Sequence, residues 1–252
     1  MRSLPDAQRP ELLCLPHAGG SAAFFHPWRT ALADVANVVP IEVAGHGSRR
    51  REPLPATFEA ALASVWPQAR RQTGNRYVLY GHSLGALYAF ELARRLPRPP
   101  LALVVSGRNA PSRSAELPDC HDWPDGAFTD RLATYDGIPP EIRLDPALMR
   151  LFLPVLRADM RIAEQYRRTA GPPLSCPIVA CYGEGDPLLS PEGVADWTNE
   201  TSAGCEILLA PGGGHFFISE QGFTARLAVS LSQVLGKAAV NDGAENRSDH
   251  VG

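Results

Sequence analysis

Six short apolar runs, separated by longer polar or amphipathic stretches, constrain this chain more than any other feature of its sequence. ELLCLP, NVVPIEV, RYVLYG, LALVVSG, CPIVACYG and CEILLA are aliphatic or β-branched and end in turn-forming residues, the pattern of strands buried on both faces. Between them FEAALASVWPQARRQ, SLGALYAFELARRL and PEGVADWTNE read as helices. A last helix, FTARLAVSLSQVLG, is expected to end at Gly236. Strands that alternate with helices pair mainly in parallel, because each crossover carries a helix back over the sheet. The expected architecture is therefore α/β, a mainly parallel central sheet flanked by helices.

Composition excludes several other classes. With 252 residues, 44% of them hydrophobic and 20% charged, the chain can build one large core and is not disordered. A net charge of −3 is no footprint for nucleic acid or an anionic membrane. All but one of the 24 basic residues are arginine, Lys237 being the exception. No run approaches the 18 apolar residues of a membrane span, and the N-terminus lacks the apolar segment of a secretory leader, so a cytoplasmic location is expected. The five cysteines, Cys14, Cys120, Cys176, Cys181 and Cys205, show no metal-binding spacing and are expected to be reduced.

One stretch breaks the alternation. From about 108 to 173 there is no convincing strand but a Pro/Asp-rich start, then FTDRLATY, then DPALMRLFLPVLRADMRIAEQYRR. Leu148, Leu151, Phe152, Val155 and Leu156 recur at helical spacing and predict one apolar face. Such a long insertion between two strands reads as a helical lid over the strand ends. A single domain is expected over 11–236, with 1–10 and 237–252 as flexible ends.

The sharpest chemical signal is Gly81-His82-Ser83-Leu84-Gly85, directly after a strand and opening a helix. There the glycines allow a tight turn that leaves the serine exposed at the helix N-terminus. A serine hydroxyl needs a base. His215, in the glycine-rich loop APGGGHFF after the last strand, is the best placed histidine. His82, His46 and His17 are weaker candidates, His121 lies in the lid and His250 in the tail. Asp186, after CPIVACYG, is the expected orienting acid, with Glu184 as a stand-in. The order serine, acid, histidine is that of α/β-hydrolases. The two amides for an oxyanion are expected from Leu84 and from Ala18 in the loop Pro16-His17-Ala18-Gly19-Gly20.

LPHAGGSAAFFHPW, YGHSLGALYAFELARRL, VVSGRNAPS, LPVLRADMRIAEQY, GEGDPLLSPE and PGGGHFFI occur in the order and spacing of type II thioesterases, and the chain resembles that family over about 11–236. These are the discrete editing enzymes of polyketide synthase and nonribosomal peptide synthetase pathways. The resemblance implies hydrolysis of acyl groups from the phosphopantetheine thiol of carrier-protein domains, with Ser83, Asp186 and His215 catalytic and the amides of Ala18 and Leu84 holding the oxyanion. It implies no cofactor or metal of the enzyme's own, and a monomer is the expectation. The chain departs from the family at the turn after the second strand, where VAGHGSRRR replaces a common Pro-Gly-Arg. A small-ester or lipase-like hydrolase, acyl transfer or product release, and an inactive carrier-binding module remain open. Arg49, Arg50 and Arg51 form a candidate patch for an acidic carrier protein.

Overall fold

The computed structural model describes residues 9–116 and 119–248. Six strands form one sheet: β1 (Glu11–Leu15), β2 (Asn37–Pro40), β3 (Tyr77–His82), β4 (Leu103–Ser106), β5 (Ile178–Gly183) and β6 (Cys205–Ala210). Their spatial order is β2-β1-β3-β4-β5-β6, and every neighbouring pair is parallel. The helices are α1 (Trp28–Ala31), α2 (Phe58–Gln72), α3 (Leu84–Arg95), α4 (Asp125–Ala133), α5 (Pro140–Arg143), α6 (Pro146–Gln165), α7 (Pro191–Ala195) and α8 (Gln221–Ser248).

Alternation along each strand divides the core between the two faces of the sheet. Leu13, Leu15 and Leu79 join the cluster under α2 and α3, where Val65, Leu87 and Phe90 meet them. Leu12, Cys14, Val78 and Tyr80 point the other way, onto Trp28, Phe223, Leu227 and Leu231. The inner strands are thus apolar on both faces because both are covered, whereas the edge strand β6, expected to be buried, leaves Ile207 and Leu209 exposed because no described strand pairs beyond it in the sheet.

Between β1 and β3 the order of connection reverses: the chain steps outward to β2, then returns past β1 to β3. Loops leaving the carboxyl ends of strands on either side of such a switch point diverge and open a crevice. The Pro16–Gly20 loop leaves β1 there, and the turn carrying Ser83 leaves β3.

Between β4 and β5 lie α4, α5 and α6, which bring Phe128, Leu132, Tyr135 and Leu156 into a third apolar cluster. The α6 start is fixed by Asp145, whose side chain accepts from the Ala147 and Leu148 amides, with Pro146 next in line. The expected apolar face needs correcting. Leu148 is 42% and Leu151 73% exposed, whereas Met149, Phe152, Leu153, Leu156 and Met160 pack inward. The buried stripe is displaced by one position, about 100° of rotation. Two other boundaries differ from expectation. PEGVADWTNE is a short α7 followed by a 3-10 turn over Asp196–Glu200. The last helix continues past Gly236 to Ser248, through an alanine-containing segment without proline that favours helix. The ends 1–8 and 249–252, with His250, lie outside the described residues.

Helix α3 packs directly against the backbone of β1. A Cβ on Gly85 would sit 2.2 Å from the Leu15 carbonyl oxygen and 2.6 Å from that of Pro16. Both neighbours are backbone and cannot swing aside. Gly85→Ala is expected to lower the unfolding free energy by about 1–3 kcal/mol or more, measured by urea denaturation.

Candidate active site

The turn from β3 into α3 brings the two elements so close that a Cβ on Gly81 would lie 2.1 Å from the Gly85 carbonyl oxygen. Ser83, between them, has φ +54° and ψ −112°, a left-handed conformation that a serine adopts only where its surroundings impose it. Its amide donates to the Ser106 carbonyl of β4 at 2.8 Å, which ties the elbow to the next strand. The hydroxyl is thereby presented at the N-terminus of α3, on the wall of a cavity of about 270 Å³.

His215 reaches the same cavity from the loop after β6. Its Nδ1 is 2.7 Å from Asp186 Oδ2, and the two side chains are 2% and 0% exposed. The other oxygen of Asp186 accepts from the Leu188 amide at 2.9 Å. The carboxylate is thus satisfied on both sides, and the bond to Nδ1 leaves Nε2 as the nitrogen free for proton transfer. The two loops meet without side chains between them: a Cβ on Gly183 would lie 2.4 Å from the carbonyl oxygens of Gly213 and Gly214. Glu184, the alternative acid, instead accepts from the Gly212 amide at 2.9 Å.

Ala18 and Leu84 both line the cavity. Among the described residues neither amide donates to a protein acceptor. On either side of Ala18 the loop is tied down: the Gly20 amide donates to the His17 carbonyl at 2.9 Å, and the Gly19 amide to Asp159 of α6 at 2.7 Å. Two N–H groups of cavity-lining residues without a protein acceptor among the described residues, beside a serine and a buried imidazole–carboxylate pair, are candidates to stabilise an oxyanion formed by attack on a carbonyl. The lid closes the chamber with Leu132, Tyr135, Leu156 and Met160.

The other histidines have separate partners. His82 is buried behind the elbow with Nδ1 2.9 Å from Ser106 Oγ, which is itself 2.6 Å from the Tyr80 hydroxyl, and burial pushes its pKa well down. His17 packs edge-on against Phe24 and Phe216, and burial, then the neighbouring His215 and His46, lowers its pKa to about 3. Both are neutral spacers near the site. His46 pairs with Asp159, and His121 with Glu164. The arginine patch is smaller than its sequence suggests. Arg49 clamps Glu52 through two bonds of 2.7 and 2.6 Å and donates to the Glu42 and Ser64 carbonyls, while Arg51 is exposed.

Two carboxylates of α6 are not among the residues the sequence motifs point to. Asp159 and Glu164 are buried, and their signal was a charged side chain within a run of otherwise inward-facing apolar positions. Glu164 accepts from the Cys120 amide and thiol and from the His121 amide and Nδ1, so it fastens the entry of the lid to α6. No group of three or more His, Cys, Asp or Glu among the described residues could hold a metal ion, and no described helix is long and apolar enough to cross a membrane.

A parallel sheet with a serine elbow after its third strand and a His–Asp pair carried by its last two strand ends defines an α/β-hydrolase. Within that class the chain belongs to the thioesterase family, whose domain model matches residues 10–231, and it is a hydrolase acting on thioesters. It is 37% identical over 223 residues to thioesterase PikA5 of Streptomyces venezuelae, an alignment covering 83% of this chain and 76% of that protein. The crystal structure of ClbQ from the colibactin pathway of nonribosomal peptide and polyketide synthesis superposes with a TM-score of 0.84 at 33% identity, over 92% of this chain and 99% of that one. The type II thioesterase BorB from the borrelidin biosynthetic cluster gives 0.79 at 35% identity, over 93% and 95%. The resemblance read from the sequence motifs is therefore to the family in which the chain falls.

Removal of the Glu164 carboxylate leaves two buried amides and an imidazole without their acceptor. Glu164→Ala is expected to destabilise the lid by about 3–5 kcal/mol, and limited proteolysis should then cut near residue 120 before the sheet unfolds.

Proposed function

We propose that Ser83 is the nucleophile, His215 the general base and Asp186 the orienting acid of an enzyme that hydrolyses acyl groups from the phosphopantetheine thiol of carrier-protein domains. Its setting is a polyketide or nonribosomal peptide pathway, where it removes aberrant or stalled acyl units. The observation that carries this reading is the buried 2.7 Å contact between His215 and Asp186 at the cavity where Ser83 is held in its left-handed turn.

In the first half-reaction the Ser83 oxygen attacks the thioester carbonyl and its proton passes to His215 Nε2. Negative charge on the carbonyl oxygen is taken up by the amides of Ala18 and Leu84. Collapse breaks the carbon–sulfur bond, and the imidazolium returns the proton to the departing pantetheine sulfur. Water, deprotonated by the same nitrogen, then attacks the acyl-serine ester and releases a carboxylic acid and the free serine. Asp186 balances the imidazolium charge in both halves. The scheme calls on no cofactor, since a thiolate is already a good leaving group.

The pathway named for ClbQ and the cluster named for BorB support a carrier-borne substrate. The cavity supports it too, because an apolar chamber closed by a lid takes an acyl chain while the polar arm trails out to the partner. Ser83→Ala is expected to lower kcat on acyl-carrier protein by about 10⁴–10⁶ without loss of Tm. Hydrolysis by that variant at near the wild-type rate would overturn the assignment. A higher kcat/KM on free short-chain esters than on acyl-carrier protein would instead place the enzyme among small-ester hydrolases.

A further inference from the structure

His46 makes two hydrogen bonds inside the protein, and both of its partners are acceptors. Nδ1 is 3.0 Å from the Ala44 carbonyl oxygen and Nε2 is 2.8 Å from Asp159 Oδ2. A neutral imidazole carries one N–H and could serve only one of them. Full satisfaction requires the imidazolium, in a side chain that is only 3% exposed. The same Asp159 oxygen also receives the Gly19 amide at 2.7 Å, so one carboxylate of the lid helix α6 joins the turn after β2 to the loop that presents Ala18. The contact is close-packed as well: Gly19 has φ +72°, and a Cβ there would lie 2.6 Å from Leu156 Cδ2, one helical turn before Asp159.

We propose that Asp159 is a positioning residue for the oxyanion loop and that the proton on His46 controls how firmly it holds. The proposal rests on Ala18 being an oxyanion donor. With His46 protonated, Nδ1–H donates to the Ala44 carbonyl, the charged Nε2–H fixes the Asp159 carboxylate, and the carboxylate fixes Gly19. With His46 neutral, the charge that holds Asp159 is gone and either Ala44 or Asp159 faces a bare ring nitrogen, so the carboxylate that ties Gly19 is held less firmly.

The surrounding charges set the sign. Asp159 from α6 and Glu42 from the segment after β2 favour the imidazolium, together with the Ala44 carbonyl. Burial, the largest single influence, opposes it, while the His17 ring of the oxyanion loop is neutral and leaves it unchanged. On the far side of Asp159 the buried Tyr88 hydroxyl of α3 has no hydrogen-bond partner, so it does not compete for the carboxylate. On balance the pKa of His46 is raised above 6.5. The stabilisation is thus complete below pH 6.5 and is lost as pH rises through the folded-state value.

The test uses a short acyl thioester of pantetheine, so that carrier docking does not enter. Wild-type kcat is expected to fall severalfold on the alkaline side as His46 loses its proton. Asp159→Asn keeps shape and an acceptor for Gly19 but removes the charge. His46→Gln keeps a donor to Asp159 that does not titrate. Each is expected to abolish the alkaline fall, Asp159→Asn with kcat lowered about 5–10-fold and KM unchanged. Imidazole NMR should give His46 a pKa above 6.5 in the wild type and a lower one in Asp159→Asn. An alkaline fall that survives in both variants overturns the proposal, as does a lower Tm with kcat and its pH profile unmoved. Failure of the nucleophile assignment has a separate signature, since it would appear as full activity in Ser83→Ala.

Discussion

At Gly85 the first turn of α3 touches the backbone of β1, with no side chain between helix and strand. The rest of the site is built outward from that contact. Because α3 sits so low on the sheet, the chain must turn from β3 into the helix within a single residue, and Ser83 takes up the left-handed angle that results. The same closeness puts the Leu84 amide beside the loop that continues from Leu15 into Ala18. Ser83 and both candidate oxyanion donors are thus fixed by one packing constraint, reinforced by the Ser83 amide on β4. The energy that holds the strained serine comes from the buried helix, whose residues from Leu84 to Ala93 are all sequestered from solvent.

The lid is held differently. Its helices meet the chamber through a modest apolar cluster, and its fixed points are carboxylates on α6: Glu164 at the lid entry and Asp159 on the oxyanion loop. A carboxylate gives directional attachment at a defined atom, whereas apolar packing tolerates sliding. Leu132, Tyr135 and Met160 can therefore adapt to an acyl chain while the helix keeps its register over Gly19.

How much of this was legible in sequence depended on range. All six strands were recoverable because each is a short, mainly aliphatic run that ends in turn residues, a local signal, although β6 is half-exposed at the sheet edge. The elbow was recoverable because glycines flank a serine at a strand–helix junction. Asp186 and His215 followed from strand-end positions once the parallel order was assumed, and the structure places their side chains 2.7 Å apart. What escaped was set by tertiary packing. Leu148 and Leu151 carry the same helical period as the buried stripe beside them, and only the placement of α6 over the sheet decides which side faces in. His46 could be seen as a histidine near the site, but its partner lies 113 residues away. The helix beyond Gly236 shows that a glycine is a weak stop when good helix formers follow.

Sequence order has one more consequence, for the newborn chain. The serine arrives on the third strand and is shaped by its contacts with the first and fourth, whereas the imidazole follows the sixth, at the far edge of the sheet. During synthesis the elbow can form while β5, β6 and the Gly213–His215 loop are still unmade. Until those last parts emerge and dock, the nascent enzyme carries a shaped but unactivated hydroxyl. On the proposed assignment, hydrolytic competence is a late event in the life of each molecule, withheld until the edge strand closes the sheet.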